Sequence, residues 1–248
     1  MIKVLVCISH VPDTTTKIKF EADGSTLDKT GVTFVINPYC EYGLSKALDL
    51  KEAGKPVGNI TVLCVGGAEV EPTLRKALAI GADDAVRIHA SSNDSAYVAR
   101  QIADYARGKD FGIVFTGKES IDFNGSIVPG MVAEHLGYGF VSFATYFELT
   151  SETQATVHRE IDGGEEVLDL RLPAVVSCQK GISEWRIPNM RGIMAARKKP
   201  LAVVNASSAP EATQSAHFDY PAAKGSCQYF APDSAGELVG ALAGKGLI

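Results

Sequence analysis

Short runs that are apolar at nearly every position recur through the first half of the chain: Val4 to Ile8, Ile60 to Val65 and Phe111 to Phe115, with Ala85 to Ile88 as a fourth strand-like segment. Continuous runs of this length suit strands buried on both faces of a parallel sheet, because a half-exposed strand would alternate. Between them the period becomes helical. Leu44, Ala47, Leu48 and Lys51 follow Asn37-Pro38 at helical spacing, with Asn37 expected to cap the first turn, Pro38 tolerated at the first position and Gly54 as the stop. Glu69 to Ile80 puts Leu74, Ala77 and Leu78 on one face before Gly81-Ala82-Asp83 closes it. Asn93 to Ala106, capped by Asn93 or Asp94, and Ser126 to Leu136 complete four helices. Lys17 to Phe20 and Val32 to Ile36 flank Ala22-Asp23-Gly24-Ser25, which predicts a hairpin-like excursion before the first helix. Strands alternating with helices predict an α/β fold with a doubly wound, mostly parallel sheet.

The period then changes to two. Phe140 to Leu149, Gln154 to Ile161 and Glu165 to Leu170 alternate, with Gly163-Gly164 at a hairpin turn, so an antiparallel extension of the same sheet is expected. Ala174 to Cys178 returns to a buried strand. From about Pro200 the chain is rich in Ala, Ser, Pro and Gly, and Asn205 to Ala216 has no periodicity. Ser234 to Ala243 reads as a last short helix whose Leu238 and Leu242, like Leu247 beyond it, have no core to cover. The expected organisation is an α/β domain over residues 1–199 and a C-terminal arm over 200–248 that docks on another chain.

Composition narrows the function classes. The 248 residues are 46% hydrophobic, enough for a full core, and the net charge of -5 is spread, so no polyanionic nucleic-acid partner is expected. The only basic run, Arg197-Lys198-Lys199, reads as a solvated helix end. The five cysteines, Cys7, Cys40, Cys64, Cys178 and Cys227, have no metal-ligand spacing with the histidines, so no metal is expected. No stretch reaches a membrane span, and Met1 to Ile8 is too strand-like for a signal peptide. The chain reads as cytoplasmic.

Ligands of such sheets bind beyond the carboxyl ends of the strands, which directs attention to Ser9–Asp13, Asn37–Cys40, Gly66-Gly67 and 117–128. Gly66-Gly67 suits either a plain tight turn or an anion brought close to backbone amides. Asn124-Gly125-Ser126 leads into a helix N-terminus whose dipole favours phosphate. No catalytic residues are expected, because His10, His89, His135, His158 and His217 are scattered and no nucleophile elbow or phosphate loop of the Gly-x4-Gly-Lys type is present. His158 and the pair Glu165-Glu166 read as surface residues of alternating strands. The segment Gly181 to Gly192 holds the only Trp, with two Arg and a Met, in a stretch that Pro and Gly keep irregular. Those residue types are enriched at interfaces, though Trp185 would also serve as a cover for the core.

Val157 to Leu168 followed by Leu172-Pro173-Ala174-Val175-Val176-Ser177, built around Arg159-x-x-Asp162-Gly163-Gly164, resembles the β subunit of electron-transferring flavoproteins. Val11-Pro12-Asp13, Asn37 to Glu41, Ala77 to Asp83 and Gly117-Lys118 with Ile121-Asp122 strengthen the resemblance, which covers residues 1 to about 200. It implies a Rossmann-like, adenine-nucleotide-binding fold and an electron carrier without a substrate of its own. Electrons would come from acyl-CoA or other flavin dehydrogenases, through an FAD held with an α subunit, and leave to a membrane quinone oxidoreductase. By similarity, AMP would contact Cys7, Asn37, Pro38, Tyr39, Cys40, Val65, Gly66, Gly117, Asp122, Asn124, Gly125, Ser126, Ile127 and Val128. Tyr39 stands where the family often places an aromatic near the flavin ring. Two departures matter: Thr14 replaces a Tyr found in some members, and Ser126-Ile127-Val128-Pro129 replaces a more amide-rich sequence. The recognition loop would span residues 182–192, with Trp185, Arg186, Ile187, Pro188, Asn189, Met190 and Arg191 as contacts and Met190 at its tip. Two other readings are carried: an NADH-using, electron-bifurcating relative with a second FAD in place of AMP, and a stand-alone nucleotide-binding stress-type protein.

Overall fold

The computed structural model describes all residues from Met1 to Ile248. Eleven strands and six α-helices follow one another along the chain: β1 (Ile2–Cys7), β2 (His10–Pro12), β3 (Phe34–Ile36), α1 (Pro38–Glu52), β4 (Val57–Val65), α2 (Glu71–Ile80), β5 (Asp84–His89), α3 (Ser95–Ala106) and β6 (Phe111–Gly117). Then come α4 (Val128–Leu136), β7 (Gly139–Leu149), β8 (Gln154–Ile161), β9 (Gly164–Arg171), β10 (Ala174–Cys178), α5 (Met190–Ala196), β11 (Leu201–Asn205) and α6 (Ala235–Gly244). One sheet of nine strands carries the fold in the order β11-β5-β4-β1-β6-β10-β7-β8-β9. It is parallel from β11 to β7, and β8 and β9 extend it antiparallel. Both the doubly wound sheet and its extension match expectation.

The continuous apolar runs are explained by burial on two sides. Val4 and Val6 of β1 join a core cluster with Leu44 and Leu48 of α1 and Leu74 and Leu78 of α2. Leu5 and Cys7 face the opposite way, into a second cluster with Ile102 of α3 and Val132 of α4. A strand with both faces covered has no polar side, so its pattern is continuous. Phe147 of the extension meets Phe115 of β6 edge-on, with ring centroids 5.2 Å apart, which ties the meander to the parallel part.

Several local expectations need correction. Val32 to Ile36 does not pair with Lys17 to Phe20; β3 pairs with β2, while a single bridge joins Phe20 to Leu27. The segment after Cys178 is not irregular throughout, because Asn189 caps α5 by accepting from the Gly192 amide, so Met190 opens a short helix. Pro200 does not end the ordered sheet either: β11 adds a parallel edge strand to β5. Arg197 and Lys198 are exposed as expected, but Lys199 is half-buried. Its ammonium donates to the carbonyls of Leu78, Gly81 and Ala82 and thereby caps the end of α2.

Candidate functional site

At the carboxyl edge of the sheet, β1 lies between β4 and β6, so Cys7, Val65 and Gly117 end neighbouring strands. The chain runs outward from β1 to β4 and β5, then returns to β6 on the other side. That reversal makes the edge beside β1 a topological switch point, where doubly wound sheets take their ligands.

Asn37 organises this edge, though not as a helix cap. No capping bond forms. The fully buried side chain instead donates from Nδ2 to the Glu119 carbonyl at 2.7 Å and to Cys40 Sγ at 3.1 Å, and its Oδ1 accepts from the Ile121 amide at 3.2 Å. The start of α1 is thus fastened to the loop after β6. Gly117 permits the approach: a Cβ there would lie 2.8 Å from Asn37 Nδ2, 2.9 Å from Tyr39 Cβ and 3.0 Å from the Cys40 amide nitrogen. Lys118 holds its ammonium 4.8 Å from the centre of the Tyr39 ring, a cation–π contact.

Beyond Gly117 the loop is exposed from Asp122 to Ile127. Asn124 and Ser126 adopt left-handed backbone at φ 50° and 54°, on either side of Gly125. Left-handed residues are a feature of the backbone concavities that gather successive amides around an anion. The amides of Gly125, Ser126 and Ile127 donate to no protein group. α4 follows directly, and Pro129 sits in its first turn, where no amide hydrogen is needed. The loop therefore fits a phosphate by backbone alone, without the missing side-chain amide. Its opposing charges are Asp122, which accepts from the Phe123 amide at 3.0 Å, and Glu119, which accepts from Ser126 Oγ at 3.1 Å.

Gly66-Gly67 is a turn whose amides are already engaged. The Gly66 amide donates to the Ile88 carbonyl and the Gly67 amide to the Glu69 carboxylate at 3.3 Å. These glycines wall the edge but offer no free amide for phosphate. A neighbouring feature escaped the sequence reading: a cleft of about 470 Å³ between the β2–β3 ribbon and the start of α2, lined by His10, Phe34, Lys29, Glu69, Thr73 and Lys76 among others. None of the residues expected to contact nucleotide lines it. His10 stacks on Phe34 with ring centroids 4.4 Å apart and shares a hydrogen with Thr73 Oγ1; burial lowers its pKa, which leaves the ring neutral near pH 7.

Cys7, Cys40, Cys64 and Cys178 are buried and free, and Cys227 is exposed. Burial pushes all four buried thiols up, Cys64 to about 12, so they are inert apolar groups of the core. Among the other surface candidates, Glu165 accepts or shares a hydrogen with His158 at 2.9 Å while Glu166 pairs with Arg159. The two carboxylates serve different partners and form no catalytic pair.

The second candidate region sits at the far end of α1. Trp185, Ile187 and Met190 are 56, 76 and 73% exposed, so Trp185 does not cover the core. Arg186 faces its own molecule, pairing with Asp49 and with Glu52 at 2.6 and 2.9 Å, and Ser183 Oγ donates to Asp49 at 2.6 Å. These bonds found an apolar prominence on the last turn of α1.

The sheet is thus of the doubly wound, Rossmann-like α/β class, with a loop of free amides at its switch point and a separate apolar prominence. Residues 25–209 match the electron transfer flavoprotein domain. The chain is 37% identical over 224 residues to the electron transfer flavoprotein subunit beta of Syntrophomonas wolfei, covering 90% of this chain and 87% of that protein. The subunits beta of Bacillus subtilis and Homo sapiens are 34 and 33% identical, covering 80 and 82% of this chain and 77 and 81% of theirs. The chain belongs to the electron transfer flavoprotein β-subunit family.

Proposed function

We propose that this chain is the β subunit of a heterodimeric electron carrier, accepting electrons from flavin dehydrogenases such as acyl-CoA dehydrogenases through an FAD held jointly with an α subunit. The electrons leave to a membrane-bound quinone oxidoreductase, and the complex works in the cytoplasm. No helix of the chain is long and apolar enough to cross a membrane. AMP occupies the carboxyl edge, bounded by Cys7, Asn37 to Cys40, Val65, Gly66 and Gly117. Its phosphate lies against the 122–128 loop, bound by the amides of Gly125 to Val128. Tyr39 faces the flavin, and Trp185, Ile187, Pro188, Asn189, Met190 and Arg191 meet the donor enzyme, with Arg186 as their anchor.

The observation that carries this reading is the junction at Asn37, which joins α1 to a loop with three free amides at the switch point. Purifying the chain with its partner subunit, denaturing the complex and identifying what is released tests it. One FAD and one AMP per heterodimer are expected. Two FAD would instead assign the bifurcating chemistry, and a complex that holds neither AMP nor FAD would overturn the reading.

A further inference from the structure

After β11 the chain has no regular structure until α6, yet residues 207–220 are pinned to the domain at successive points. Gln101 of α3 takes the Ser207 amide at 2.7 Å and returns a hydrogen to the Ser207 carbonyl at 3.1 Å, while Ser207 Oγ donates to Asp104 at 2.8 Å. The Asp94 carboxylate, buried at the start of α3, accepts from the Ala212 amide at 2.5 Å and from Thr213 Oγ1 at 3.0 Å. Further on, the Phe218 amide donates to the Gly24 carbonyl at 2.9 Å. Phe218 then stacks on Phe20 with centroids 5.5 Å apart, and Tyr220 packs on the same ring at 5.0 Å. Gly24 accommodates this packing at positive φ, because a Cβ there would lie 2.0 Å from the His217 ring.

The remainder of the arm has the opposite character. α6 has no buried residue and carries Gly236, Gly240 and Gly244 within ten positions, a composition that does not hold a helix in isolation. Tyr229, Leu238, Val239, Leu247 and Ile248 are exposed. Between Pro221 and Ile248 the charges are Lys224, Lys245, Asp233 and Glu237, which cancel, so an apolar partner surface is the one that fits. The occupant of that partner role is the α subunit; this step rests on the function proposed above.

We propose that the Phe20–Leu27 turn and the start of α3 form a receptor for the chain's own residues 207–220, fixing the root of the arm so that domain and arm grip the α subunit as a two-point clamp. Without the receptor the free tether would run from residue 206; with it, the tether runs from 221. Effective concentration falls roughly as the 3/2 power of tether length, so shortening the tether to α6 at Ala235 raises it roughly threefold. Fixing the direction in which the arm emerges adds to that.

Subunit-exchange kinetics of the heterodimer test the clamp, with hydrogen exchange over residues 207–220 read in the same samples. Phe20→Ala and Phe218→Ala are each expected to release residues 214–220, since Gln101 and Asp94 still hold the chain up to Thr213, and to speed dissociation by about twofold, and the double variant should be no worse than the singles. Phe218 lies outside the core clusters, so its variant remains informative if Phe20→Ala fails to fold. Release of the segment with dissociation at the unaltered rate would overturn the clamp. A chain ending at residue 220 separates the two claims: if it dissociates at the unaltered rate, the arm does not bind the α subunit and the clamp fails, whereas a full chain that forms no heterodimer with the α subunit would sink the functional reading instead.

Discussion

Replacing Asn37 with alanine removes in one step the three contacts that join α1 to the loop after β6. The side chain is fully buried, so the change leaves the Glu119 carbonyl and the Ile121 amide without their partner. A buried group left unpaired costs about 1–3 kcal/mol. Because the loop is partly open to water, the lower end of that range applies to each group, for a sum of about 2–3 kcal/mol. For a chain of this size that corresponds to a melting point lower by about 4–12 °C. Asn37→Asp separates the two bonds, since its carboxylate still accepts from Ile121 but has no hydrogen for the Glu119 carbonyl and turns negative charge toward it. Thermal melts of the purified complex, together with the AMP retained after gel filtration, provide the assay. Both variants should melt lower and lose AMP, and the aspartate variant should recover stability as the pH falls and its carboxyl gains a proton. An alanine variant within about 0.5 kcal/mol of the parent, the range of an ordinary surface change, would refute the reasoning.

Three further outcomes follow from the geometry. Burial draws the Asp94 pKa up, but hydrogen bonds from Ala212, Ala96 and Thr213 outweigh it and hold the carboxyl below its usual range; the hold of Asp94 on residues 212–213 is therefore complete above about pH 4 and is lost as the pH falls through the lowered value, which hydrogen exchange across the acid range would follow. Lys199→Met strips three carbonyls at the end of α2 of their donor and should lower stability by about 1–2 kcal/mol in urea titrations, whereas a change within error would show that water replaces it. Met190→Ala removes the exposed thioether at the start of α5 and should slow electron transfer from the donor dehydrogenase at unchanged flavin content; unaltered donor kinetics would remove Met190 from the docking surface.

The parallel core was readable because burial on both faces leaves a distinctive mark, as in Val4 to Ile8 and Ile60 to Val65. Features that depend on distant partners were not. Asn37 obeys the local rule for a cap, yet its hydrogen bonds go to residues 82 and 84 positions away, and nothing in the local sequence encodes that choice. β2 and β3 are three residues each and meet across a long excursion, and β11 is an exposed edge whose partner lies far earlier in the chain. α5 was hidden by Gly192, which looks like a helix breaker; its missing side chain admits the Ala79 carbonyl, 2.3 Å from where a Cβ would stand. The edge residues were located correctly along the strands, since strand ends follow from the hydrophobic runs. Which amides are free at that edge was not readable, because Ile88 and Glu69 take those of Gly66 and Gly67 only after folding.

α1 spans fifteen residues, and its two ends carry different duties. Asn37 stands at its beginning, and Asp49 and Glu52, which grip Arg186, lie in its last turn. A helix of that length is a strut of about 22 Å. The spacing between the carboxyl edge of the sheet and the apolar prominence is therefore a matter of helical rise, and inserting one turn into α1 would lengthen the separation by about 5 Å while leaving both ends chemically intact.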